Sequence, residues 1–248
     1  MGDTENSIFQ EVRDSLVSKL IEFKEIKGTH LTFDSSNIPA KVKENNLKTS
    51  IKDRFSKTKR PKGDPESRLS IMVHFPKPFQ KEFKYFWGYR NFVLSDALSE
   101  LPILEETRTA NVVDSKVIIP QLELAKYRFD LNICAVIADA GLDSAKVLSF
   151  IINDLKAKPY IARNLRRKKD LKVSSTGNRI CLAGFEMLYW GKFKEGNRCM
   201  QNPSVRGLRA VSNHCTIAHI TVLLIALTAA KTGNKDKIRF VKSFLPNI

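Results

Sequence analysis

Acidic residues, paired cysteines and long apolar runs are all scarce in this chain of 248 residues. The four cysteines, Cys134, Cys181, Cys199 and Cys215, form no CxxC pair, which excludes a disulfide framework and reads as reduced thiols in a cytosol. His214 and His219 add no HxxxH pair to them, so a standard zinc site is not expected. Near the N-terminus Asp3 and Glu5 stand where a signal peptide is basic, and Asn6 stands where a myristoylation start wants Ser or Thr. The one extended apolar run, Cys215 to Ala230, carries His219 and three threonines and falls short of the ~20 residues a span needs. A buried helix is expected there, not a membrane segment.

The shortage of acids has the largest consequence. With 42 Lys+Arg against 26 Asp+Glu the formal charge is +16. A surplus of that size implies a polyanionic partner, most commonly nucleic acid. A ribosomal-type binder or a membrane-surface protein would carry the same sign, so charge sets a class and not an activity.

What is present is enough apolar residue, 42%, for a sizeable core in one large domain or one domain with appendages. Ile8, Val12, Leu16, Leu20 and Phe23 recur at helical spacing over residues 8 to 26. His30 to Asp34 is a short β-prone run that ends in a carboxylate. Residues 41 to 62 turn to Lys and Arg with few apolar anchors, either a solvated loop or one ordered by phosphates. Leu69 to Phe75 and the aromatic stretch Phe83 to Leu94 read as strands, whose aromatics suit a core better than base stacking, and Leu101 to Leu104 as a further short one. A helix within Asn111 to Tyr127, despite Pro120, leads to a buried strand from Cys134 to Ala138. Asp139 closes that strand, Gly141 permits a tight exit, and Asp143 or Ser144 caps a helix to about Ala157 with Val147, Phe150, Ile151 and Leu155 on its inner face. Pro159 to Ala162 is the last strand of the series.

Two strands thus end in aspartate. If these two run parallel as neighbours, Asp34 and Asp139 emerge side by side in the crevice at the carboxyl ends of the strands. Carboxylates that close repel unless a cation sits between them, and hard divalent ions prefer oxygen ligands. A magnesium site is the expected consequence.

These pieces resemble the DDE transposases of bacterial and archaeal insertion sequences, in particular the insertion sequence four type. The resemblance rests on Leu31-Thr-Phe-Asp34-Ser-Ser, Phe86-Trp-Gly-Tyr-Arg-Asn91, Leu101-Pro-Ile with Thr109-Ala-Asn-Val-Val-Asp114, and Ile137-Ala-Asp139-Ala-Gly-Leu-Asp-Ser, in that order. It covers roughly residues 29 to 165. It implies an α/β fold, a ribonuclease H-like mixed sheet flanked by helices, preceded by an N-terminal helical segment (1–28) and followed by a basic segment and C-terminal apolar helix (166–248). It also implies two-metal phosphoryl transfer on double-stranded DNA, with two Mg²⁺ ions held by three carboxylates. Asp34 and Asp139 would be the first two metal ligands. The family places a Glu on a later helix, within Tyr-x2-Arg-x3-Glu-x6-Lys. Tyr160-Ile-Ala-Arg163 starts that spacing, but Arg167 stands where Glu is required.

Two accounts of the third ligand stand side by side. Either Glu186 serves, in a region broken by Gly184, Gly191 and Gly196, or the segment bearing the Glu is lost between Cys199 and Pro203. Lys57, Lys59, Arg60 and Lys62 in the first basic segment, with Arg163, Arg166, Arg167, Lys168 and Lys169 in the second, are the expected contacts to the DNA backbone. The expectation is therefore a transposase, complete or a shortened remnant, acting on element ends and target DNA in a prokaryotic cytoplasm at the nucleoid, as a homo-oligomer on DNA and without a membrane. The alternatives are a non-catalytic DNA-binding derivative and another ribonuclease H-like nuclease.

Overall fold

In the computed structural model, which describes residues 8–46, 60–77, 80–162 and 206–234 with the short pieces 175, 179–180, 186–187 and 238, the aromatic stretch forms the longest strand. This strand, β3 (Gln80–Asp96), is long enough to serve two partners on one edge: β2 (Arg68–Lys77) pairs with its first half and β4 (Pro102–Thr109) with its second. Its other edge pairs antiparallel with β1 (His30–Pro39). β5 (Ala135–Ala138) then lies parallel to β1, and β6 (Lys158–Ile161) parallel to β5. The result is a six-stranded mixed sheet in the order β2-β3-β1-β5-β6, with β4 beside β3. It is the ribonuclease H-like α/β arrangement that the resemblance implies.

Helices cover both faces. α1 (Ile8–Glu22) and α4 (Leu208–Lys231) pack on each other and against β4. α2 (Ile118–Phe129) accommodates Pro120 in its first turn, where the missing N–H has no intrahelical partner to lose. Leu31, Phe33, Phe92, Leu94, Leu104, Val136, Ile118 and Leu122 form one buried cluster, joined by Leu16, Val17 and Leu20 of α1 and Leu223 and Ala226 of α4. A smaller cluster gathers Ile38, Trp87 and Tyr89 under Val211 and Cys215 of α4. The apolar C-terminal run is thus a helix with one side buried in the protein core, as expected. Its length and composition alone would also allow a membrane span.

Several local expectations are corrected. In α1 the buried set is Arg13, Leu16, Val17 and Leu20, whereas Ile8, Val12 and Phe23 are exposed. The helix is rotated toward a polar partner under α4, described below. Cys134 is exposed and precedes β5 instead of opening it. Ser144, not Asp143, caps the following helix through its hydroxyl and the Val147 N–H. That helix, α3 (Ala145–Ser149), is short and passes into a π turn (Phe150–Asp154). Val147, Ile151 and Leu155 still face the core. Of the aromatics, Phe86, Trp87, Tyr89 and Phe92 are buried, while Phe83 and Tyr85 are exposed on the outer part of the β2–β3 hairpin.

Candidate metal and DNA site at the sheet edge

The parallel register of β1 and β5 fixes the site. Phe33 pairs with Ala138 as the last matched position, so the next residue on each strand is an aspartate, Asp34 beside Asp139. Adjacent strands lie about 4.8 Å apart, which sets the separation of the two backbones. Asp139 keeps extended dihedrals (φ −74°, ψ 170°), so the strand direction holds to the carboxylate. Both side chains are exposed.

Each carboxylate is fixed by a backbone donor. The Ser35 N–H donates to Asp34 Oδ1 at 2.7 Å, and the Gly141 N–H to Asp139 Oδ1 at 2.9 Å. Asp139 thereby caps the 3-10 turn Ala140–Leu142. A Cβ at position 141 would stand 2.9 Å from Asp139 Oδ1, so glycine is what lets the turn close over the carboxylate. Two hard oxygen donors from neighbouring strands suit a divalent cation such as Mg²⁺ in kind.

A second feature of the site is an anchor behind β1. Ser35 and Asn37 point to the face opposite Asp34, because side chains alternate along a strand. The Ser35 hydroxyl donates to Asp114 Oδ1. Arg90, paired across from Asn37, donates to Asn37 Oδ1 at 3.2 Å and to Asp114 Oδ2 at 3.1 Å. Asp114 opens the 3-10 turn Asp114–Lys116, which lies against the turn that Asp139 caps. Asp114 and Arg90 each stood in a sequence motif, but nothing in the sequence paired the two.

The Asp34 row of the sheet continues through Val93 on β3 to Glu105 on β4. Glu105 is buried under α4. It accepts from Asn91 Nδ2 at 2.7 Å and from the Thr216 hydroxyl, and Arg13 Nη1 stands 3.5 Å from it. Burial pushes its carboxyl above the usual range, against the pull of Thr216, Arg13 and Asn91. Two strands from Asp34, roughly 10 Å by strand spacing, it lies outside any shared coordination sphere. One sign of it was legible: consecutive Glu105 and Glu106 in a strand must face opposite sides of a sheet that is covered on both.

The remaining expected residues fall into three groups. Arg60 and Lys62 are exposed in the loop that leads into β2. Lys57, Lys59, Arg163, Arg166, Arg167, Lys168 and Lys169 lie outside the described residues. Glu186 falls on β8 (Glu186–Met187), paired with β7 (Arg179–Ile180) in a separate two-stranded sheet. Among the described residues no three of His, Cys, Asp and Glu are grouped to hold a metal ion.

No curated protein sequence matches the chain. Among solved structures it is similar to a piggyBac transposase in a synaptic complex with hairpin DNA, at 11% identity and a TM-score of 0.43, covering 99% of this chain and 62% of that one. A family model described as the transposase DDE domain matches residues 27–238. The sequence motifs, the mixed sheet and that match agree: the chain belongs to the transposase DDE domain family.

Proposed function

We propose that this chain binds insertion-sequence DNA through its basic segments and holds a divalent cation, Mg²⁺ by preference, between Asp34 and Asp139. The observation that carries the reading is the register of β1 and β5, which sets Asp34, midway along β1, beside Asp139, just past the carboxyl end of β5. The charge of +16 supports DNA as the partner, through the release of counterions from the phosphates. When bound, the cation supplies Lewis acidity toward a phosphodiester oxygen and lowers the pKa of a water or 3′-hydroxyl nucleophile. The chain's own part is to present carboxylate oxygens held by the Ser35 and Gly141 N–H groups. It also grips the backbone with Lys57, Lys59, Arg60 and Lys62, and with Arg163, Arg166, Arg167, Lys168 and Lys169. Strand cleavage and transfer at element ends, by a homo-oligomer at the prokaryotic nucleoid, is the corresponding activity. A second Mg²⁺ requires a third carboxylate, for which Glu186 is the candidate.

A second reading is favoured by one observation, that among the described residues no third metal-ligating side chain joins the pair. In it the chain is a remnant lacking the glutamate segment between Cys199 and Pro203, and it binds DNA without cutting it. Purified chain, supercoiled plasmid carrying the sequences that flank this reading frame, and Mg²⁺ decide between them. Metal-dependent nicking that Asp139→Asn abolishes, with gel-shift affinity unchanged, supports the enzyme. Salt-sensitive binding without nicking by the wild type supports the remnant.

A further inference from the structure

We propose that Asp114 is a positioning residue for the Asp34–Asp139 pair, acting through Ser35 and Arg90. This rests on the reading of that pair as a cation site.

Asp114 lies where both halves of the pair can be governed. One carboxylate oxygen takes the hydroxyl of Ser35, the residue after Asp34, whose own N–H holds the Asp34 carboxylate at 2.7 Å. The other takes Arg90 Nη1 at 3.1 Å, and the same guanidinium reaches Asn37 Oδ1 at 3.2 Å. β1 is therefore held from behind at positions 35 and 37, one residue and three residues past the ligand. On the other side the Asp114–Lys116 turn abuts the Ala140–Leu142 turn, whose cap is Asp139. Asp114 thus bonds to β1 just past Asp34 from a turn that packs against the turn capped by Asp139.

Its charge is committed. Arg90 and Asp114 are both largely shielded, with side-chain exposures of 16% and 28%, and their ion pair keeps the Asp114 carboxylate turned to the rear of β1. Asp114 is therefore not the missing third ligand. It fixes the spacing and direction of the other two, and a cation that needs both carboxylates at once is sensitive to that spacing. Groups hydrogen-bonded behind metal ligands commonly change affinity or activity by about 10–100-fold when removed.

The test is Mn²⁺ binding by calorimetry to the full chain, with no DNA, beside thermal midpoints for each variant. Wild-type binding that is lost in Asp34→Asn and Asp139→Asn establishes the pair. Asp114→Asn and Ser35→Ala are then expected to weaken Mn²⁺ by about tenfold or more with the fold retained, and Ser35→Thr, which keeps the hydroxyl, to restore wild-type affinity. Wild-type affinity in both Ser35→Ala and Asp114→Asn, with loss in Asp34→Asn, overturns the positioning role and leaves the cation site standing. Failure of the wild type to bind, or indifference to Asp34→Asn and Asp139→Asn, overturns the cation site and the positioning role with it. Ser35→Ala removes a single hydroxyl from a strand, so it remains a fair trial even if Asp114→Asn does not fold.

Discussion

Replacing Arg13 by methionine tests the polar contact that joins α1, β4 and α4. Arg13 is buried at 2% exposure, with Nη1 3.3 Å from the Glu105 carbonyl oxygen and 3.5 Å from its carboxylate. Methionine keeps much of the volume and removes the cation, leaving Glu105 with Asn91 and Thr216 only. Breaking a buried pair from one side costs about 3–5 kcal/mol, because the remaining charge is uncompensated. Glu105 has an escape, since burial already raises its pKa and Arg13 is among the groups that lower it. Without Arg13 that pKa rises further, and the carboxyl takes up a proton instead of standing charged. A carboxyl whose folded pKa is raised contributes stability that is fully present below its unfolded value near 4.5 and is lost as pH rises through the folded value. The penalty of Arg13→Met therefore grows with pH. Urea unfolding at pH 5, 6.5 and 8 should show about 3 kcal/mol at the high end and clearly less at the low end. In thermal terms 3 kcal/mol is about 6–12 °C for a chain of this size. Glu105→Gln, which keeps the shape and removes the charge, should flatten the pH dependence of the Arg13→Met penalty. A penalty under about 0.5 kcal/mol, the range of surface substitutions, or one that grows as pH falls, refutes the assignment.

Two further outcomes follow from the same geometry. His219 is buried, its Nδ1 has no partner among the described residues, and burial followed by the Arg13 charge pushes its pKa down to about 4. Its contribution to stability is full above the unfolded value of 6.5 and is lost as pH falls through about 4, a loss of about 3 kcal/mol. His219→Leu should flatten the acid limb of stability against pH, and an unchanged limb refutes the burial of the neutral ring. Gly88 lies where β3 crosses the end of β1, and a Cβ there would overlap the Ile38 carbonyl oxygen and come within 3.0 Å of the Ala40 nitrogen. Because these are backbone atoms, Gly88→Ala should destabilise by about 2–3 kcal/mol in urea unfolding, and a neutral result would contradict the close approach.

The strands that bear the site were legible because each announces itself locally. The β-prone run through Asp34 and the apolar run closed by Asp139 need no distant information, although β1 does not end at Asp34 as expected but runs on to Pro39, because β3 keeps pairing with it. The register then places the two aspartates at neighbouring positions on adjacent strands. What was not legible is polar and long-range. Arg13 looks like a solvated helix residue until α4 covers it, and Glu105 meets Thr216 across 111 positions. Of the apolar set expected to line α1, Leu16 and Leu20 are buried but Ile8, Val12 and Phe23 are not, and Arg13 and Val17 complete the buried face instead. The double use of one edge of β3, by β2 and then β4, also leaves no mark on periodicity.

The stretch Phe86 to Asn91, noticed first as a motif, turns out to be a row of tethers. Trp87 exchanges backbone hydrogen bonds with the Asn45 side chain at 2.7 and 2.8 Å. Gly88 admits the end of β1. Tyr89 donates to buried Asp64 at 2.6 Å, Arg90 holds Asp114 and Asn91 holds Glu105. Asp64 also accepts from the Gly207 N–H, and Glu66 from that of Leu208, so the start of α4 is capped by the turn before β2. The first turn of a helix leaves N–H groups without intrahelical partners, and here a distant loop supplies the acceptors. α4 is consequently anchored by residues 64–66, by Thr216 on Glu105 and by its apolar side, none of which belongs to the chain between β6 and α4. Among the described residues, the contacts that anchor α4 through Asp64, Glu66 and Glu105 share no residue with those that hold β1 from behind through Ser35, Arg90 and Asp114, so the two are held by separate sets of tethers.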